Sequence, residues 1–474
     1  MSSSLPQRHI RPFGIRDKIG YMFGDFGNDF TFILQAVFFM LFFTNVVGIE
    51  AAHVGTLFFV ARLGDAFTDV GMGILIDRLP VKKPGYKFKR WIKYIAIPVA
   101  VASALMFMSF TADFESYTVK IVWMCATYFL WGSVCYTAIN IPYGSMASVI
   151  SENPDDRAQL SVFRSTGANL AFIIITSVLP LIIYTTNDKG VSVLDGEMMM
   201  YAAIVCSILA VICYGLCYAL VEERVVATEN ADRPGIGKML LTIVTNRALL
   251  GLIVTALLLV LANLFLTGMI GYLVLNWFGD GKLQSFANFA GLLPTFALIV
   301  IAPFLAKRFG KKEIAIISSI IAGSILIVAY VIKTDNFYLW VTCYAIAQFM
   351  IAIFNFLVWA FITDVIDYQE VRTGQRDDGT VYAIYSWARK VGQAFAGFLT
   401  GIALSWIGFD AAVAKAGDVQ SADVVDNIYM LSNLIPGIGI LLVAISLFLF
   451  YPLSKSAVEK NNAILNERRE ALTK

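Results

Sequence analysis

The stretch FVARLGDAFTDVGMGILIDR, residues 59–78, is apolar enough to lie in a lipid bilayer, yet it carries Arg62, Asp65 and Asp69. On a helix, residues four apart lie on one face, so the carboxylates of Asp65 and Asp69 are neighbours. Each charged side chain at the centre of a membrane helix costs about 2.5–3.5 kcal/mol on insertion scales. A carboxylate pair held at this cost indicates a site for a small cation.

The composition of the whole chain is that of an integral membrane protein. Its 474 residues are 58% hydrophobic and 15% charged, with a mean hydropathy of +0.72, whereas a soluble domain is about 25% charged. The net charge of +2 gives no indication of a nucleic-acid partner. Six cysteines in apolar runs, two histidines and no CxxC motif predict neither disulfides nor a zinc site.

Twelve apolar runs are long enough to cross a bilayer, which takes about 20 residues of helix. Their cores are residues 24–47, 54–76, 92–111, 120–149, 158–184, 198–221, 248–275, 285–306, 314–332, 337–363, 380–407 and 428–452. The predicted fold is an all-α polytopic membrane protein with twelve transmembrane helices. Its parts are a six-helix half at 1–221, a polar cytoplasmic linker at 222–247, a second six-helix half at 248–452 and a cytoplasmic tail at 453–474.

Lys and Arg are concentrated in alternate loops, which predicts that both termini and the linker are cytoplasmic. The loop after the second span, DRLPVKKPGYKFKR, and the loop after the eighth span, KRFGKKE, are basic, whereas the opposite loops hold one Lys each. We therefore expect a multi-pass protein of the plasma (inner) membrane. The same loop is basic in both halves, which is typical of the major facilitator architecture, although any cytoplasmic loop tends to be basic.

Polar residues inside spans one and four extend the set of candidates. Asp29 lies deep in span one and is a functional candidate, whereas Asp25 near the cytoplasmic end is equally well explained by solvation. In span four, Thr137 and Asn140 share a helix face. Asn140 could bind a ligand or hydrogen-bond a neighbouring helix.

Two further features lie near the cytoplasmic ends of spans four and five. Pro142 and Gly144 are expected to loosen the helix of span four and to release a carbonyl oxygen. Arg164 opens span five, and its side chain either reaches the cytoplasm or pairs with a carboxylate inside the bundle.

Span eleven combines aromatic and basic side chains that suit a sugar. Rings stack on the apolar face of a sugar, and charged groups bind its hydroxyls. The members are Tyr382, Tyr385, Ser386, Trp387, Arg389 and Lys390, with Tyr136 in span four as a further candidate. The alternative for the aromatic residues is the interfacial belt of a membrane protein.

The loop after span ten is dense in both charges and predicts ion pairs that close an inner gate, or else a solvated loop. The gating candidates are Asp364, Asp367, Arg372 and Arg376. The chain contains neither GxxxxGK[ST] nor HExxH, so we expect no cofactor and expect any uphill transport to use an ion gradient.

These features resemble the glycoside–pentoside–hexuronide:cation symporter family of the major facilitator group, of which melibiose permease is a member. The resemblance runs from span one to span twelve, and the RxxDAxxD…GxxxDR pattern is specific to the family. The matching stretches include GYMFGDFGNDF, GTLFFVARLGDAFTDVGMGILIDR, YFLWGSVCYTAINIPYGSM, DRAQLSVFRSTGANLA and the run ITDVIDYQEVRTGQRDDGTVYAIYSWARKVGQAFAGFLTG.

The resemblance implies a role for individual residues. Asp65 and Asp69 match the cation-binding carboxylates, and Thr137 matches a cation-site hydroxyl. Thr68, a further cation-binding candidate, stands where melibiose permease has an Asn. Sugar-binding positions are matched by Asp29, Arg164 and Lys390, which favours Lys390 over Arg389 as the residue that faces the cavity.

Two departures concern span four. Asn140 replaces an Asp that serves both sugar and cation, so the site loses one negative charge. An Asn can still lend a carbonyl oxygen to Na⁺, but the lost charge favours H⁺. Gly144 replaces a Trp that contacts the sugar, so galactoside specificity is not expected to carry over.

The resemblance implies a symporter that imports a sugar together with H⁺ or Na⁺, with Na⁺ bound at Asp65 and Asp69 if it is the coupling ion. We expect a monomer whose partners are the sugar, the cation and the bilayer. The alternatives are a lipid carrier on the same fold and a sugar sensor that does not transport. An enzyme is disfavoured, because two carboxylates on one helix face cannot flank a glycosidic bond.

Overall fold

A computed structural model of the chain describes residues 11–79, 86–151, 153–225, 246–374 and 378–473. These residues are almost entirely helical. The helices up to residue 220 are α1 Ile15–Phe42, α2 Ala51–Arg78, α3 Lys89–Leu105, α4 Tyr117–Phe129, α5 Thr137–Ile150, α6 Pro154–Ile183 and α7 Gly196–Leu220. Two short strands, β1 Tyr184–Thr186 and β2 Ser192–Leu194, form a two-stranded sheet between α6 and α7.

The remaining helices follow the predicted linker, of which residues 226–245 lie outside the described part. They are α8 Arg247–Asn276, α9 Leu283–Leu292, α10 Leu298–Phe309, α11 Lys311–Ile332, α12 Phe337–Thr373, α13 Asp378–Trp406, α14 Ala411–Lys415, α15 Ala422–Phe450 and α16 Lys455–Thr473. Several begin at a polar N-cap that satisfies the first backbone N–H groups. Asn246 caps α8 and Asn336 caps α12 in this way.

Nine helices among the described residues are long and apolar enough to cross a membrane by length and composition. The other three predicted spans fall on α2, on α9 with α10, and on α13. The charges of Asp65 and Asp69 interrupt the apolar run of α2, and Arg389 and Lys390 interrupt that of α13. The span at 285–306 is broken by a 3₁₀ turn, Leu293–Ala297, which contains a proline. The count of twelve spans therefore stays a prediction.

Close contacts divide the chain into two compact units. Among the described residues, the first unit takes those within 1–49, 63–185 and 194–230, and the second takes those within 50–62, 186–193 and 231–474. Two short segments of the predicted first half, 50–62 and 186–193, thus pack with the second unit.

In the first unit, α1 packs against both α6 and α7. Its residues Leu34, Phe38 and Phe39 are fully buried, so α1 forms much of the core. A second anchor lies at the end of α7, where the buried carboxylate of Glu223 accepts backbone N–H groups of Lys87, Phe88 and Lys89 at 2.6–2.8 Å. The first residues of the predicted linker are therefore fixed to the start of α3.

In the second unit, α8 packs against α13 and α15, and α11 packs against α12 and α15. The start of α2 also packs on α13, because glycines allow their backbones to approach. A Cβ at Gly401 would lie 2.3 Å from the carbonyl oxygen of Ala51. The predicted tail is mostly helix α16, from which Arg468 donates to the carbonyl oxygens of Glu370 and Val371.

Span four contains an irregular segment that the sequence did not predict. Pro142 lies inside α5, which continues through it as an α-helix. The irregular segment is a π-helix, Leu130–Tyr136, one turn earlier. The release of a carbonyl oxygen at Pro142 stays a prediction, and the π-helical segment is an additional irregularity between α4 and α5.

Candidate functional site

Two hydroxyl groups of span four contact the two carboxylates of α2. Ser133 Oγ donates to Asp65 Oδ1 at 2.8 Å, and Thr137 Oγ1 donates to Asp69 Oδ1 at 3.0 Å. The two acceptors are four residues apart on α2, and the two donors are four residues apart on the facing segment. We call these four residues the hydroxyl–carboxylate ladder.

The π-helical segment places the ladder. Wide turns of this kind are frequently found at functional sites in proteins. Gly132 lies in the segment, and a Cβ at this position would stand 3.8 Å from Asp65 Oδ1. The Gly132 carbonyl oxygen lies 3.1 Å from Thr137 Oγ1 and is an alternative acceptor for the same hydroxyl hydrogen. The ladder therefore gathers carboxylate and hydroxyl oxygens, which are ligands of hard cations.

Thr68 also lies on α2, but its hydroxyl donates to the backbone carbonyl oxygen of Asp65 at 3.2 Å. A hydroxyl bound to its own helix in this way is common for Ser and Thr. The cation-binding role predicted for Thr68 is not tested by this contact, because an oxygen lone pair remains.

A second cluster surrounds Arg164. Its Nε donates to Asp25 Oδ1 at 3.0 Å, and Asp25 is buried. The guanidinium also lies over the ring of Tyr143 at 5.3 Å. The structure thus pairs Arg164 with a carboxylate, which is one of the two alternatives that the sequence left open. The partner is Asp25, for which the sequence left solvation and a functional role equally open.

The space beside Arg164 is open on the α5 side. A Cβ at Gly144 would meet one neighbour within 4 Å, Arg164 Nη1 at 3.9 Å. The missing side chain at Gly144 thus leaves room in front of a cationic group.

Asn140 lies between the ladder and Arg164. Thr137, Asn140 and Gly144 are three and four residues apart on α5, so they share one face. The Asn140 Oδ1 atom accepts from Asn28 Nδ2 at 3.4 Å, and Asn28 Oδ1 accepts from the Tyr214 hydroxyl at 2.8 Å. One face of α5 therefore links the candidate cation site to the candidate sugar site.

The other sugar candidates of the first unit are placed differently. Asp29 is half-buried on α1, four residues beyond Asp25. The ring of Tyr136 stacks on Phe32 at 5.7 Å and lies 5.1 Å from the ring of Trp131. Tyr136 is thus held in an aromatic cluster, while its hydroxyl remains a candidate for the sugar.

The candidates of span eleven all belong to the second unit. Tyr385 is buried and Trp387 is 57% exposed. Arg389 and Lys390 are both exposed, so exposure does not choose between them. The side chains of Tyr382 and Ser386 lie outside the described part.

The gating candidates also belong to the second unit. Asp364 is buried and pairs with Lys311 at 2.6 Å, which joins α12 to α11. The guanidinium of Arg372 lies over the ring of Tyr368 at 5.5 Å. Asp367 is half-buried, and Arg376 lies outside the described residues. Their gating role stays a prediction.

Three residues of the site, Ser133, Asn28 and Tyr214, were not singled out in the sequence. Ser133 precedes Thr137 by the spacing that separates Asp65 from Asp69, which is a usable signal. Asn28 is a polar residue in a membrane span, which also marks a candidate. Tyr214 lies in an apolar run and gives no signal of its own.

Comparison with known proteins identifies relatives over nearly the whole chain. Residues 20–455 match the family of MFS/sugar transport proteins. The symporter YjmB of Bacillus subtilis (strain 168) is 33% identical, and the match covers 93% of each chain. The glucuronide carrier protein homolog of Escherichia coli (strain K12) is 28% identical, covering 96% of each chain. The isoprimeverose transporter of Lactiplantibacillus pentosus is 31% identical, covering 96% of this chain and 91% of the transporter.

The fold is also found among solved structures. A bacterial homolog of the human lysosomal transporter Spinster, in an inward-facing and occupied conformation, matches with a TM-score of 0.65 and 11% identity, covering 92% of this chain and 96% of that chain. This likeness shows the major facilitator fold. With the family match over nearly the whole sequence, it establishes that the chain belongs to the MFS/sugar transport family and is a multi-pass membrane transporter, as the resemblance implied.

Proposed function

We propose that the protein is a cation-coupled symporter that imports a sugar of the glycoside, pentoside or hexuronide class by alternating access. The observation that carries the proposal is the shared face of α5. Thr137 on this face contacts the Asp69 carboxylate, and Gly144 opens toward Arg164. A cation bound at one end of this face and a sugar bound at the other end would therefore both contact α5.

The ladder supports a cation site. Two nearby carboxylates repel each other when both are ionised, and a bound cation removes this repulsion. Filling the ladder would thus change the charge next to Asn140 and Arg164, where the sugar would bind. The coupling is reciprocal, so the sugar must raise the affinity for the cation by the same factor.

The coupling ion is Na⁺ or H⁺, and two features favour different ions. The carboxylate and hydroxyl oxygens of the ladder are the ligands that hard metal cations prefer, which favours Na⁺. Asn140 carries no charge where the family resemblance places an Asp, which weakens the attraction for Na⁺ and favours H⁺.

The named relatives support a sugar as substrate, since they include a glucuronide carrier homolog and an isoprimeverose transporter. The open space at Gly144 and the charge of Arg164 are compatible with a glycoside or a hexuronide.

The test is counterflow of labelled sugars in vesicles that contain the purified protein, with and without Na⁺ at two pH values. We expect at least one glycoside, pentoside or hexuronide to exchange. In the Asp65→Asn variant, uphill accumulation of that sugar should be lost, while downhill exchange persists. The exposed Asp113 provides the control, because Asp113→Asn removes a carboxylate away from the ladder.

Unchanged uphill accumulation in Asp65→Asn would contradict the proposal that the coupling ion binds at the hydroxyl–carboxylate ladder. The absence of exchange for every sugar of the three classes would contradict the proposed substrate. Accumulation directed outward under an imposed cation gradient would contradict import.

A further inference from the structure

The carboxamide of Asn140 lies at the end of a buried chain of hydrogen bonds from α7 through α1 to α5. The Tyr214 hydroxyl donates to Asn28 Oδ1 at 2.8 Å, and Asn28 Nδ2 donates to Asn140 Oδ1 at 3.4 Å. Asn28 and Tyr214 are each 1% exposed, whereas Asn140 is half-buried. Only the last member of the chain is therefore accessible.

The Tyr214 hydroxyl determines which atom donates and which accepts in each of these hydrogen bonds. A phenol has one proton to donate, and a buried donor without an acceptor costs about 1–3 kcal/mol. Within the described part of the protein, the acceptor that the Tyr214 hydroxyl reaches is Asn28 Oδ1. Asn28 must then turn its amino group toward Asn140. Asn140 accepts through Oδ1 and keeps its amino group, Nδ2, as a donor.

We propose that Asn28 and Tyr214 are positioning residues that hold the Asn140 amino group toward the substrate, so that Asn140 donates a hydrogen bond to a sugar oxygen and does not ligate the coupling cation. This inference rests on the proposed function and deepens it. It assigns Asn140, a candidate for both sites, to the sugar side.

The surroundings of Asn140 agree with this assignment. Toward the ladder, the oxygens of Asp65, Asp69, Ser133 and Thr137 already bond to one another in pairs, so a cation there has carboxylate and hydroxyl ligands without an amide. Toward Gly144, the nearest group is the Nη1 donor of Arg164. An oxygen-rich substrate in this space would meet two sets of donors.

The first variant reverses the hydrogen bond between residue 28 and Asn140. Asn28→Asp keeps the shape of the side chain and still accepts from Tyr214, but it cannot donate to Asn140 Oδ1. The Asn140 amide must then turn over and donate to the introduced carboxylate, which directs its own carbonyl oxygen to the sugar. We expect the KM of the sugar accumulated by the wild-type protein to rise about two- to tenfold, as for the loss of one hydrogen bond.

The second variant, Tyr214→Phe, removes the hydroxyl that donates to the Asn28 carbonyl oxygen. The hydrogen bond from Asn28 to Asp25 still favours the same orientation of the Asn28 amide, so a smaller rise in KM is expected than with Asn28→Asp. Tyr429→Phe is the matched control, because it removes another buried tyrosine hydroxyl bond, to the Ala329 carbonyl oxygen at 2.8 Å, in the second unit. The KM of the control should stay within about twofold of the wild-type value. A larger rise is what the loss of one hydrogen bond to the sugar would produce.

The cation provides the second measurement. Binding of the coupling ion to the sugar-free protein, measured by isothermal titration calorimetry, should be the same in wild type and in Tyr214→Phe, the variant that introduces no charge. A KM unchanged in both variants relative to Tyr429→Phe would overturn the inference, and so would an altered affinity for the cation with an unchanged KM. If wild-type protein exchanges no sugar, the proposed function fails instead, so the two failures are distinguishable.

Discussion

Ser133 places a hydroxyl 2.8 Å from the Asp65 carboxylate, in the acidic stretch of α2. At the scale of single residues, three acidic groups of the site each have a nearby donor. Thr137 donates a hydrogen bond to Asp69, and Arg164 donates one to Asp25. These partners explain how carboxylates are tolerated among apolar helices, since a paired charge costs less to bury than an isolated one.

Replacement of Ser133 tests the ladder at one oxygen. With Na⁺ as the coupling ion, the Na⁺ concentration for half-maximal transport should rise about tenfold in Ser133→Ala, because the ion loses a hydroxyl oxygen ligand. Ser133→Thr should restore most of the wild-type value. Ser148→Ala serves as the control, since the Ser148 hydroxyl is exposed and bonds to its own helix. Equal cation dependence in Ser133→Ala and Ser148→Ala would exclude Ser133 from the site.

The Asp25–Arg164 pair predicts a non-additive effect on stability. Arg164→Gln leaves the buried Asp25 carboxylate without its cation. Because the Arg164 side chain is 40% exposed, we expect a loss of about 1–2 kcal/mol, less than the roughly 3–5 kcal/mol of a fully buried pair. The double variant Asp25→Asn with Arg164→Gln should recover part of this loss. Thermal unfolding in detergent measures both variants. Additive losses would show that the two side chains do not interact energetically.

At the scale of elements, backbone irregularities and glycines decide where side chains meet. The π-helical segment Leu130–Tyr136 sets the positions of Ser133 and Thr137 relative to α2. Within the second unit, the start of α2 approaches α13 through Gly55 and Gly401, where a Cβ at Gly401 would lie 2.8 Å from the Cα of Gly55. The Ser405 hydroxyl accepts from the backbone N–H of Ala52 in the same contact.

Substitution at this contact should be costly. Gly401→Ala forces α2 and α13 apart, because backbone atoms cannot move aside as a flexible side chain can, and overpacking of this kind costs about 1–3 kcal/mol. Thermal unfolding of the purified protein should show a lower midpoint. Gly215→Ala on α7 is the control, since an added Cβ there meets nothing within 4 Å, and it should be neutral or slightly stabilising. A midpoint for Gly401→Ala as high as that of Gly215→Ala would contradict the close packing.

At the scale of the whole molecule, each unit has its own core and its own polar anchors. The first unit gathers chain segments that are distant in sequence at Glu223 and at Asp17. The buried Asp17 carboxylate pairs with Arg11 and Arg224, at 2.9 Å in each case. Transport requires these helices to remain together while the protein changes conformation, so such anchors should contribute to stability more than to substrate affinity.

Glu223 allows this expectation to be checked. Glu223→Gln replaces one acceptor oxygen with an amino group that faces backbone N–H donors, so we expect destabilisation of about 2 kcal/mol, as for buried polar groups that lose a partner. The thermal midpoint should fall, while the sugar KM of the folded fraction stays unchanged. Glu115→Gln is the control on an exposed residue. An unaltered midpoint, or a changed KM at wild-type stability, would contradict this structural role.

The amino-acid sequence by itself determined the membrane class, the family and the acidic residues of α2, because hydropathy and the spacing of Asp65 and Asp69 are properties of a single helix. The same holds for Thr137 and Asn140, which share a face by their spacing. Only the tertiary structure decided that Arg164 pairs with Asp25, that Ser133 contacts Asp65, and that Tyr214 and Asn28 orient Asn140. These contacts join different helices, and their geometry depends on how the helices pack and on the π-helical turn before Thr137, which local sequence pattern does not fix.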